Sequence, residues 1–486
     1  MAIIKRSPAL HLVTAIVTIL LLMAFTVFSV GIFADDKPGR ANGDTPEEKS
    51  SDEVTTRGIH YFQSMESIES IEEDGDDFYI VVFDVGSTGT RAHVFHFGRQ
   101  PEDNKPVLLS DDVYRKSVAL SDLVSDPKKS AEQCLSGLVS HLTTAIPKSS
   151  LAKTQVLFQG TESLRQLQEH EKQKLLQAAY GYLQSSPLLV TSYDDTFGIL
   201  DGSEEGLYQW MTINYVNGVF QSTNSSHPTY GVIGIGGGSV QLVFQPTESK
   251  TLKETLLSKQ LQTVDLFHHS VRIFTQSYSG LGRVESRLGI IQTEERIRSG
   301  LLKYQELSTA VIELLGNNKP TNDPSTLFSV CLPPGYNGDI SFDSSTQNVA
   351  GITLPHQHNI HNICTVLITV FLDNAEEKPK EHFPEINTEQ FYVLHKKLGH
   401  FIPKRKKSTW SISMKDIDDA ARRACRNPDL SEPFACIDLV YVYTLLHHGF
   451  GFSPDRNIHI DTPVPLQAAL SWALGFAVDW LQKHPY

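Results

Sequence analysis

A short run of small polar residues follows the first apolar segment and has the composition of a phosphate site. Residues 78–83 (FYIVVF) are typical of a β-strand, and residues 84–90 (DVGSTGT) form a tight polar loop. Glycine lets the backbone approach a ligand, while N–H groups and hydroxyls donate to phosphate oxygens. A carboxylate repels phosphate unless a divalent cation lies between them, and Mg²⁺ needs only one or two carboxylates because it keeps several waters. We therefore predict that Asp84 holds metal-bound water and that Ser87 and Thr88 bind phosphate, although an ordinary polar hairpin has the same composition.

A second glycine-rich turn repeats the pattern. Residues 230–244 again run from strand to glycine-rich loop to strand. Placing Gly234 on Asp84 puts Gln241 on Arg91, an offset of 234 − 84 = 150 residues. Two such units suggest a duplicated architecture. Two facing hairpins can hold a polyphosphate from both sides, and Ser239 and Gln241 are the polar residues of the second one.

A pair of acidic residues lies at the start of a predicted helix. Glu204 and Glu205 follow a glycine and precede aromatic residues at helical spacing, in residues 201–210 (DGSEEGLYQW). A hydrolase without a covalent step needs a base to orient the attacking water, and a carboxylate facing a cleft suits that task. Acidic residues in a first helical turn also interact favourably with the helix dipole, which is the alternative explanation of this pair.

Alternating strands and helices position these motifs and indicate the α/β class. The apolar periodicity predicts helices around residues 130–146, 169–184, 204–219 and 466–481 and a short strand at 155–158, and regular patterns also occur in 412–426 and 437–446. Between residues 325 and 407 the pattern breaks down, so we predict loops and insertions there. His356, His358 and His361 lie in this part, and their spacing favours a solvated loop over a zinc site.

Composition limits the classes of function. The chain has 486 residues, of which 40% are hydrophobic, so most of it can bury a core. Its 42 basic and 56 acidic residues give a net charge of −14. Affinity for nucleic acid depends largely on basic residues that neutralise phosphates. The charge therefore argues against a nucleic-acid partner.

The N-terminal part predicts a membrane anchor. Residues 12–34 carry no charge, follow Lys5 and Arg6, and are long enough to cross a bilayer. We expect a type II protein with a cytosolic tail (1–11), a transmembrane anchor (12–34) and a flexible acidic stalk (35–75), its large domain being lumenal. The alternative is a signal peptide cleaved near Ala34, which would give a secreted form.

The cysteines fit an oxidising compartment. All five follow the predicted anchor, and their spacing suggests the pairs Cys331–Cys364 and Cys425–Cys436 with Cys134 left over, although sequence alone does not fix the connectivity. Asn224 begins an Asn-Ser-Ser sequon in a polar stretch, so we expect a glycan on a surface loop there.

Together these motifs resemble the apyrases, the ectonucleoside triphosphate diphosphohydrolases, and most of all their secretory-pathway nucleoside-diphosphatase branch. The resemblance spans about residues 78–486. It rests on the runs 83–91 (FDVGSTGTR), 160–165 (GTESLR), 204–210 (EEGLYQW) with Asn214-Tyr215, 235–241 (IGGGSVQ), 277–282 (SYSGLG) and 471–475 (SWALG).

The resemblance implies an actin/hexokinase-like pair of RNase H-like domains with substrate between them, here residues 76–198 with 456–486, and residues 199–455. It implies hydrolysis of the terminal phosphate of nucleoside diphosphates such as UDP or GDP, with triphosphates as a further substrate class, in the Golgi or endoplasmic reticulum lumen. Mg²⁺ or Ca²⁺ would assist, Glu205 would activate water, and Asp84 would hold metal-bound water. The residues that would line the phosphates are Ser87, Thr88, Gly89, Thr161, Gly236, Gly237, Ser239 and Gln241.

Two positions depart from the family pattern. Gly234 stands where the family has Asp, which removes one of two carboxylates that position the water shell of the metal. Glu162 stands where the family has a small residue, and its carboxylate either repels phosphate or replaces the missing Asp. The competing hypothesis is therefore a nucleotide-binding pseudoenzyme. A sugar-kinase-like phosphotransferase is a third possibility, disfavoured by the hydrolase-type motif around Glu205 and by the anchor.

Overall fold

The computed structural model describes residues 77–87, 89–100, 104–220, 229–246, 260–302, 315, 325–342, 345–354, 359–376, 390–395, 398–402, 411–460 and 470–484. The predicted tail, anchor and stalk, as well as Thr88, Asn224, His356 and His358, lie outside these residues. In the described part of the chain, no helix combines the length and the apolar character needed to span a membrane.

The strands in chain order are β1 (Phe78–Gly86), β2 (Gly89–Arg99), β3 (Pro106–Lys116), β4 (Gln155–Gly160), β5 (Phe197–Ile199), β6 (Gly231–Ile235), β7 (Ser239–Phe244), β8 (Leu261–Leu266), β9 (His269–Ser279), β10 (Leu327–Ser329), β11 (Asn337–Phe342), β12 (Ser345–Gly351), β13 (Phe391–Leu394), β14 (Ser411–Ser413) and β15 (Asn457–Ile460).

The α-helices are α1 (Pro127–Ala145), α2 (Glu162–Arg165), α3 (Glu169–Gln184), α4 (Tyr193–Thr196), α5 (Gly202–Val216), α6 (Arg283–Arg298), α7 (Ile360–Asn374), α8 (Leu398–Phe401), α9 (Met414–Arg426), α10 (Ala435–Thr444) and α11 (Trp472–Lys483). A π-helical turn, Leu445–Gly449, continues α10.

Two sheets repeat one strand order, which confirms the α/β class. The first sheet runs β3-β2-β1-β4-β5, and the second contains β9-β7-β6-β13-β15 between the edge strands β8 and β14. In each, the first three strands pair antiparallel and the last two run parallel to the central one. The repeated order supports the duplicated architecture predicted from the two hairpins.

Three apolar clusters hold the layers together. One lies between the first sheet and helices α1 and α3, and another lies on the outer face of the second sheet under α6, α7, α9 and α10. The third lies between the sheets around α5 and α11, where Trp210 and Ile213 are fully buried. Helix α5 is therefore packed between the sheets, and burying one such large apolar side chain stabilises the fold by about 1.5–3 kcal/mol.

The structure corrects two expectations about chain organisation. Residues 325–407 were expected to be loops, but they include helix α7, the sheet β10-β12-β11 and the central strand β13. The short strands of that sheet carry polar residues, so they show no clear apolar alternation. Residues 456–486 were assigned to the first domain, but the strand at the start of this range, β15, pairs with β13 and β14 in the second sheet. The remaining domain division stays a prediction.

The cysteines form the expected pairs. Cys331–Cys364 joins the segment after β10 to α7, and Cys425–Cys436 joins α9 to α10. Cys134 is a buried thiol on α1, and burial raises its pKa to about 11.

His361 is a buried helix residue and does not lie in a solvated loop. It is a buried residue of α7, and its Nε2 lies 2.9 Å from Asp418 Oδ1 on α9. The apolar periodicity of α7 accounts for the burial that the surrounding polar sequence concealed.

Candidate active site

The first hairpin presents Asp84 inside a strand and not in a loop. Strand β1 continues to Gly86 and β2 begins at Gly89, so Asp84 lies two residues before the end of its strand. Gly89 has φ +120°, and a Cβ there would overlap the Lys116 carbonyl oxygen, so no other residue fits without strain. Asp84 is buried, and its Oδ2 accepts a hydrogen bond of 2.8 Å from Arg91 Nη1. The carboxylate is thus held by an arginine directly across the hairpin.

The short helix after β4 brings three polar residues beside this hairpin. The Thr161 N–H and Oγ1 donate to the Val85 carbonyl oxygen over 3.0 and 3.3 Å, which ties α2 to β1. Arg165 donates to Glu162 Oε2 through Nη2 over 2.6 Å. Burial raises the pKa of Glu162, but the hydrogen bond and charge of Arg165 outweigh burial and hold that pKa below its usual value. Glu162 is therefore an ionised, fully engaged carboxylate.

Helix α5 carries Glu205 into the same space. Asp201 caps the helix by accepting hydrogen bonds from the Ser203 and Glu204 N–H groups, and Glu204 Oε2 accepts one from the Asp201 N–H. Glu204 is exposed and serves this cap. Glu205 is 8% exposed and begins the buried face of the helix. The two neighbouring carboxylates thus have different roles.

Arg165 fixes one oxygen of Glu205 and leaves the other open. Glu205 Oε2 accepts hydrogen bonds of 3.2 and 3.1 Å from Arg165 Nη1 and Nη2. Its Oε1 accepts none from any residue that the structure describes. Burial raises the pKa of Glu205 to about 7, against the opposing charge of Arg165 and with the charge of Asp84 adding to the rise. A carboxylate with a pKa near neutrality and one open oxygen has the properties of a general base.

The second hairpin supplies hydroxyl and backbone donors. The Gly236 N–H is used within the hairpin, where it donates to the Ser239 carbonyl oxygen over 3.0 Å. The N–H groups of Gly237 and Gly238 donate to no residue in the described part of the chain. Ser239 Oγ accepts a hydrogen bond of 2.7 Å from Gln241 Nε2, so its own hydrogen is available to a ligand. The hairpin therefore presents donors of the kind that phosphate oxygens accept.

Two contacts join helix α2 to strands of the second sheet. Ser279 Oγ, at the end of β9, donates to Glu162 Oε1 over 2.8 Å. Arg165 Nη2 lies within 3.4 Å of Ser239 Oγ. Both glycine hairpins, α2 and the start of α5 consequently meet at one point.

The helix approaches the second sheet closely because two glycines lie in the contact. A Cβ on Gly206 would meet Val243 Cγ2 at 2.9 Å and Gln241 Cβ at 3.0 Å. A Cβ on Gly234 would overlap Gln209 Oε1 and lie 2.6 Å from Gln209 Cδ. The side chain of Gln209 therefore occupies the space where a side chain at position 234 would begin.

The donor set suits a cation held through water. Within the described residues, no group of three His, Cys, Asp or Glu side chains is placed to hold a metal ion. Glu162 has both oxygens engaged, whereas Asp84 Oδ1 accepts no hydrogen bond from the residues described. The buried Oε1 atoms of Gln209 and Gln241 also have no partner there. One carboxylate and neutral oxygens fit Mg²⁺, which keeps its waters; Ca²⁺, which takes six to eight oxygen ligands, fits this set less well.

Most of the residues predicted from the sequence lie at this meeting point, namely Asp84, Ser87, Gly89, Thr161, Glu205, Gly236, Gly237, Ser239 and Gln241. Thr88 is outside the described residues. Gln241 was expected to bind phosphate. Its Nε2 already donates a hydrogen bond to Ser239 Oγ, so it offers the site its Oε1, which accepts hydrogen bonds.

Sequence reasoning gave no role to four residues that organise the site: Arg91, Arg165, Gln209 and Ser279. Arg165 follows Glu162 by three positions, the spacing of neighbours on a helix face, and this signal could have identified the pair. The contacts of Arg91 with Asp84 follow from hairpin register. Nothing in the sequence indicates the position of Gln209, which depends on how α5 packs on the sheet.

Two like α/β sheets, each with a polar hairpin, and a buried carboxylate beside both hairpins are the arrangement expected of a phosphohydrolase. The model of the GDA1/CD39 (nucleoside phosphatase) family matches residues 70–486, and the chain belongs to this family. The expected family and the expected enzyme class, a hydrolase of nucleotide phosphates, are thereby confirmed.

Similar proteins carry related names. Ectonucleoside triphosphate diphosphohydrolase 6 of Homo sapiens is 30% identical over 432 residues, covering 88% of this chain and 82% of that protein. Nucleoside diphosphate phosphatase ENTPD5 of Homo sapiens is 28% identical over 423 residues, covering 85% and 90%. A crystal structure of nucleoside triphosphate hydrolases from Neospora caninum matches with a TM-score of 0.59 and 13% identity over 84% of this chain and 93% of that one. This last likeness shows a shared fold.

Proposed function

We propose that this protein removes the terminal phosphate from nucleoside diphosphates, with Glu205 as the base that activates water. The observation that carries the proposal is the buried Glu205 carboxylate, anchored through Oε2 and open at Oε1, between the two glycine hairpins. The name of the relative ENTPD5, a nucleoside diphosphate phosphatase, supports the diphosphate as substrate.

The reaction is a direct displacement by water. Glu205 Oε1 accepts a proton from the water while the water oxygen bonds to the terminal phosphorus atom. The bond between that phosphorus and the bridging oxygen breaks, which releases orthophosphate and the nucleoside monophosphate. Arg165 keeps the carboxylate oriented, since a guanidinium with two hydrogen bonds to one oxygen restricts rotation of the side chain.

The hairpins hold the phosphates, and one carboxylate faces the cation. The hydroxyls of Ser87 and Ser239 and the N–H groups of Gly237 and Gly238 are the donors to phosphate oxygens. Asp84 is the carboxylate that would hold a divalent cation through water. A divalent cation supplies charge neutralisation and alignment of the phosphates when it is bound.

The competing hypothesis, a pseudoenzyme, is weakened by the state of Glu162. Its carboxylate is neutralised by Arg165 and also accepts hydrogen bonds from Ser279 and Gln166. It therefore neither faces the phosphates as a free charge nor replaces the carboxylate missing at Gly234. The base Glu205 and the first hairpin are complete without it.

Phosphate release tests the proposal. We expect purified protein to release orthophosphate from UDP or GDP with Mg²⁺, and release to stop with a chelator. Nucleotide binding without phosphate release from any diphosphate or triphosphate would instead establish the pseudoenzyme.

We further propose that the active site faces the lumen of the secretory pathway. The uncharged residues 12–34 between basic and acidic flanks support a type II anchor, and the disulfides support an oxidising compartment. Protease added to sealed microsomes should spare residues 78–486, and Asn224 should carry a glycan. Digestion of that domain in intact vesicles would place it on the cytosolic side.

A further inference from the structure

Gln209 and Gly234 form a matched pair across the contact between α5 and β6. A Cβ on Gly234 would lie 2.6 Å from Gln209 Cδ and 2.8 Å from Nε2, and real Cβ atoms do not approach other atoms so closely. A side chain at position 234 and the present position of Gln209 therefore exclude each other. The space that Gly234 leaves empty on β6 is filled by the side chain of Gln209 from helix α5.

The amide oxygen that fills this space is buried without a hydrogen-bond donor. Gln209 is 8% exposed, and its Oε1 has no partner among the residues described. Gln241 lies directly across from Gly234 on β7 and is fully buried. Its Oε1 likewise has no hydrogen-bond partner among the residues described. A buried acceptor left unsatisfied costs about 1–3 kcal/mol. Two neighbouring acceptors of this kind indicate that a donor joins them in the working protein.

The two amide oxygens lie where a ligand would stand between the hairpins. Glu205 and Gln209 are one helical turn apart, so they share a face of α5. Asp84 has in the first hairpin the position that Gly234 has in the second, since each pairs with the residue seven positions further on. Asp84 is also near enough for its charge to act on Glu205. Asp84 therefore approaches the site from one side, and Gln209 with Gln241 approaches it from the other.

We propose that Gln209 supplies, from helix α5, the second oxygen that positions the hydrated divalent cation opposite Asp84. Its amide oxygen accepts hydrogen bonds from the water shell of the cation, in the space where position 234 has no side chain. The inference rests on the proposed function, because the cation is the one that accompanies the nucleotide. Since the amide is neutral, the cation is held by a single carboxylate, and its affinity depends on the charge of residue 209.

Binding of Mn²⁺ alone, without nucleotide, tests this inference. Free Mn²⁺ is followed by electron paramagnetic resonance during titration with the purified full-length chain. Gln209→Glu keeps the shape and adds a carboxylate, so we expect Mn²⁺ affinity to rise by at least about 10-fold, since loss of a group that holds a metal ligand typically changes affinity about 10–100-fold. Gln209→Ala should lower affinity. Equal affinities for wild type, Gln209→Glu and Gln209→Ala would overturn the proposal.

Gln276 provides the matched control. It lies on β9 beside β7, but it pairs with Leu242 while Ser277 pairs with Gln241, so its side chain belongs to the opposite face of the sheet. Gln276→Glu adds the same charge within the sheet against which α5 packs and should leave Mn²⁺ affinity unchanged. A rise equal to that of Gln209→Glu would show a general effect of net charge and would contradict a role for Gln209.

Exchanging the two residues is the second test. Gly234→Asp alone overlaps Gln209, so we expect a lower Tm and no gain in Mn²⁺ affinity. Gly234→Asp combined with Gln209→Ala should bind Mn²⁺ more tightly than wild type, because the space is free for the carboxylate. A full gain from Gly234→Asp alone would overturn the proposal.

The two proposals fail in different ways. Mn²⁺ binding that depends on residue 209, with no phosphate release, supports this inference and overturns hydrolysis. Metal-dependent phosphate release, with Mn²⁺ affinity independent of residue 209, supports hydrolysis and overturns this inference.

Discussion

Ser279 at the end of β9 donates a hydrogen bond of 2.8 Å to Glu162 on α2, and this bond joins the second sheet to the first hairpin region. The acceptor is a charged carboxylate that is already paired with Arg165. Glu162, one of the two residues that depart from the family pattern, is thus part of the contact between α2 and the second sheet. Both oxygens of its carboxylate accept hydrogen bonds from within the protein.

Removing this hydrogen bond should destabilise the protein. A hydrogen bond to a charged group contributes about 1.5–3 kcal/mol, so Ser279→Ala should lower the free energy of unfolding by that amount. Ser277→Ala is the control, because the hydrogen bond of Ser277 Oγ within the described residues is a long one, 3.5 Å from Gln241 Nε2. Urea denaturation of both variants measures the difference. Equal losses of unfolding free energy in both variants would show that the Ser279–Glu162 hydrogen bond contributes nothing specific.

Replacing the base should slow turnover without weakening binding. Glu205→Gln keeps the hydrogen bonds to Arg165 possible but cannot accept the proton of water, and loss of a general base typically lowers the rate about 10²–10⁴-fold. We expect kcat to fall by this factor and nucleotide affinity to stay within a few-fold. Steady-state phosphate release and calorimetric binding of the nucleotide measure the two quantities.

Glu204→Gln is the matched control for this change. Glu204 is exposed and accepts a hydrogen bond from the Asp201 N–H at the helix cap. Its loss should cost about 1 kcal/mol of stability or less and leave kcat nearly unchanged. A larger loss of kcat in Glu204→Gln than in Glu205→Gln would show that Glu205 is not the base.

Activity should depend on pH through Glu205. Burial raises the pKa of this carboxyl from 4.5 to about 7, and only the ionised form accepts a proton. We therefore expect kcat to rise with pH up to a plateau above about pH 7. A profile of kcat that is flat between pH 5 and pH 8 would contradict this assignment.

Stability should depend on pH in the opposite direction. The folded state favours protonated Glu205, so this contribution is fully present below about pH 4.5 and is lost as pH rises through about 7. The free energy of unfolding of Glu205→Gln relative to wild type should therefore increase between pH 5 and pH 8. Parallel pH dependences of the two proteins in urea denaturation would show that Glu205 does not titrate in this range.

The longer disulfide should contribute substantially to stability. Cys331–Cys364 closes a loop with a sequence separation of 33 residues, which corresponds to about 3–4 kcal/mol in the chain-entropy model. Cys331→Ser should lower the Tm and the yield of secreted protein. Cys134→Ala removes a buried thiol without breaking a bridge and should have the smaller effect. Peptide mapping that finds Cys331 joined to Cys134 would contradict the pairing.

Local patterns predicted several helices closely, but they missed α6 and α7 and predicted contacts between distant residues poorly. The segment 169–184 coincides with α3, because its apolar spacing and acidic first turn are properties of the helix itself. Glu205 was identified because capping residues and a buried helix face are also local. Arg165 could be placed on α2, but its contacts with Glu205 and Ser239 depend on how distant segments pack. The same holds for Gln209, whose position is set by two glycines in the contact between α5 and the second sheet.

The packing of α5 against α11 has a consequence for biosynthesis. Thr212 on α5 donates to the Ser471 carbonyl oxygen over 2.7 Å and accepts a hydrogen bond of 2.8 Å from the Gly475 N–H, 263 residues further along the chain. A Cβ on Gly475 would overlap the Tyr208 carbonyl oxygen, so the two helices approach closely. A ribosome must therefore translate both sheets before the helix that carries Glu205 acquires its last neighbour. A nascent chain that stops before α11 exposes an apolar face of α5 to chaperones. The site around Glu205 is therefore completed only after α11 has docked on α5.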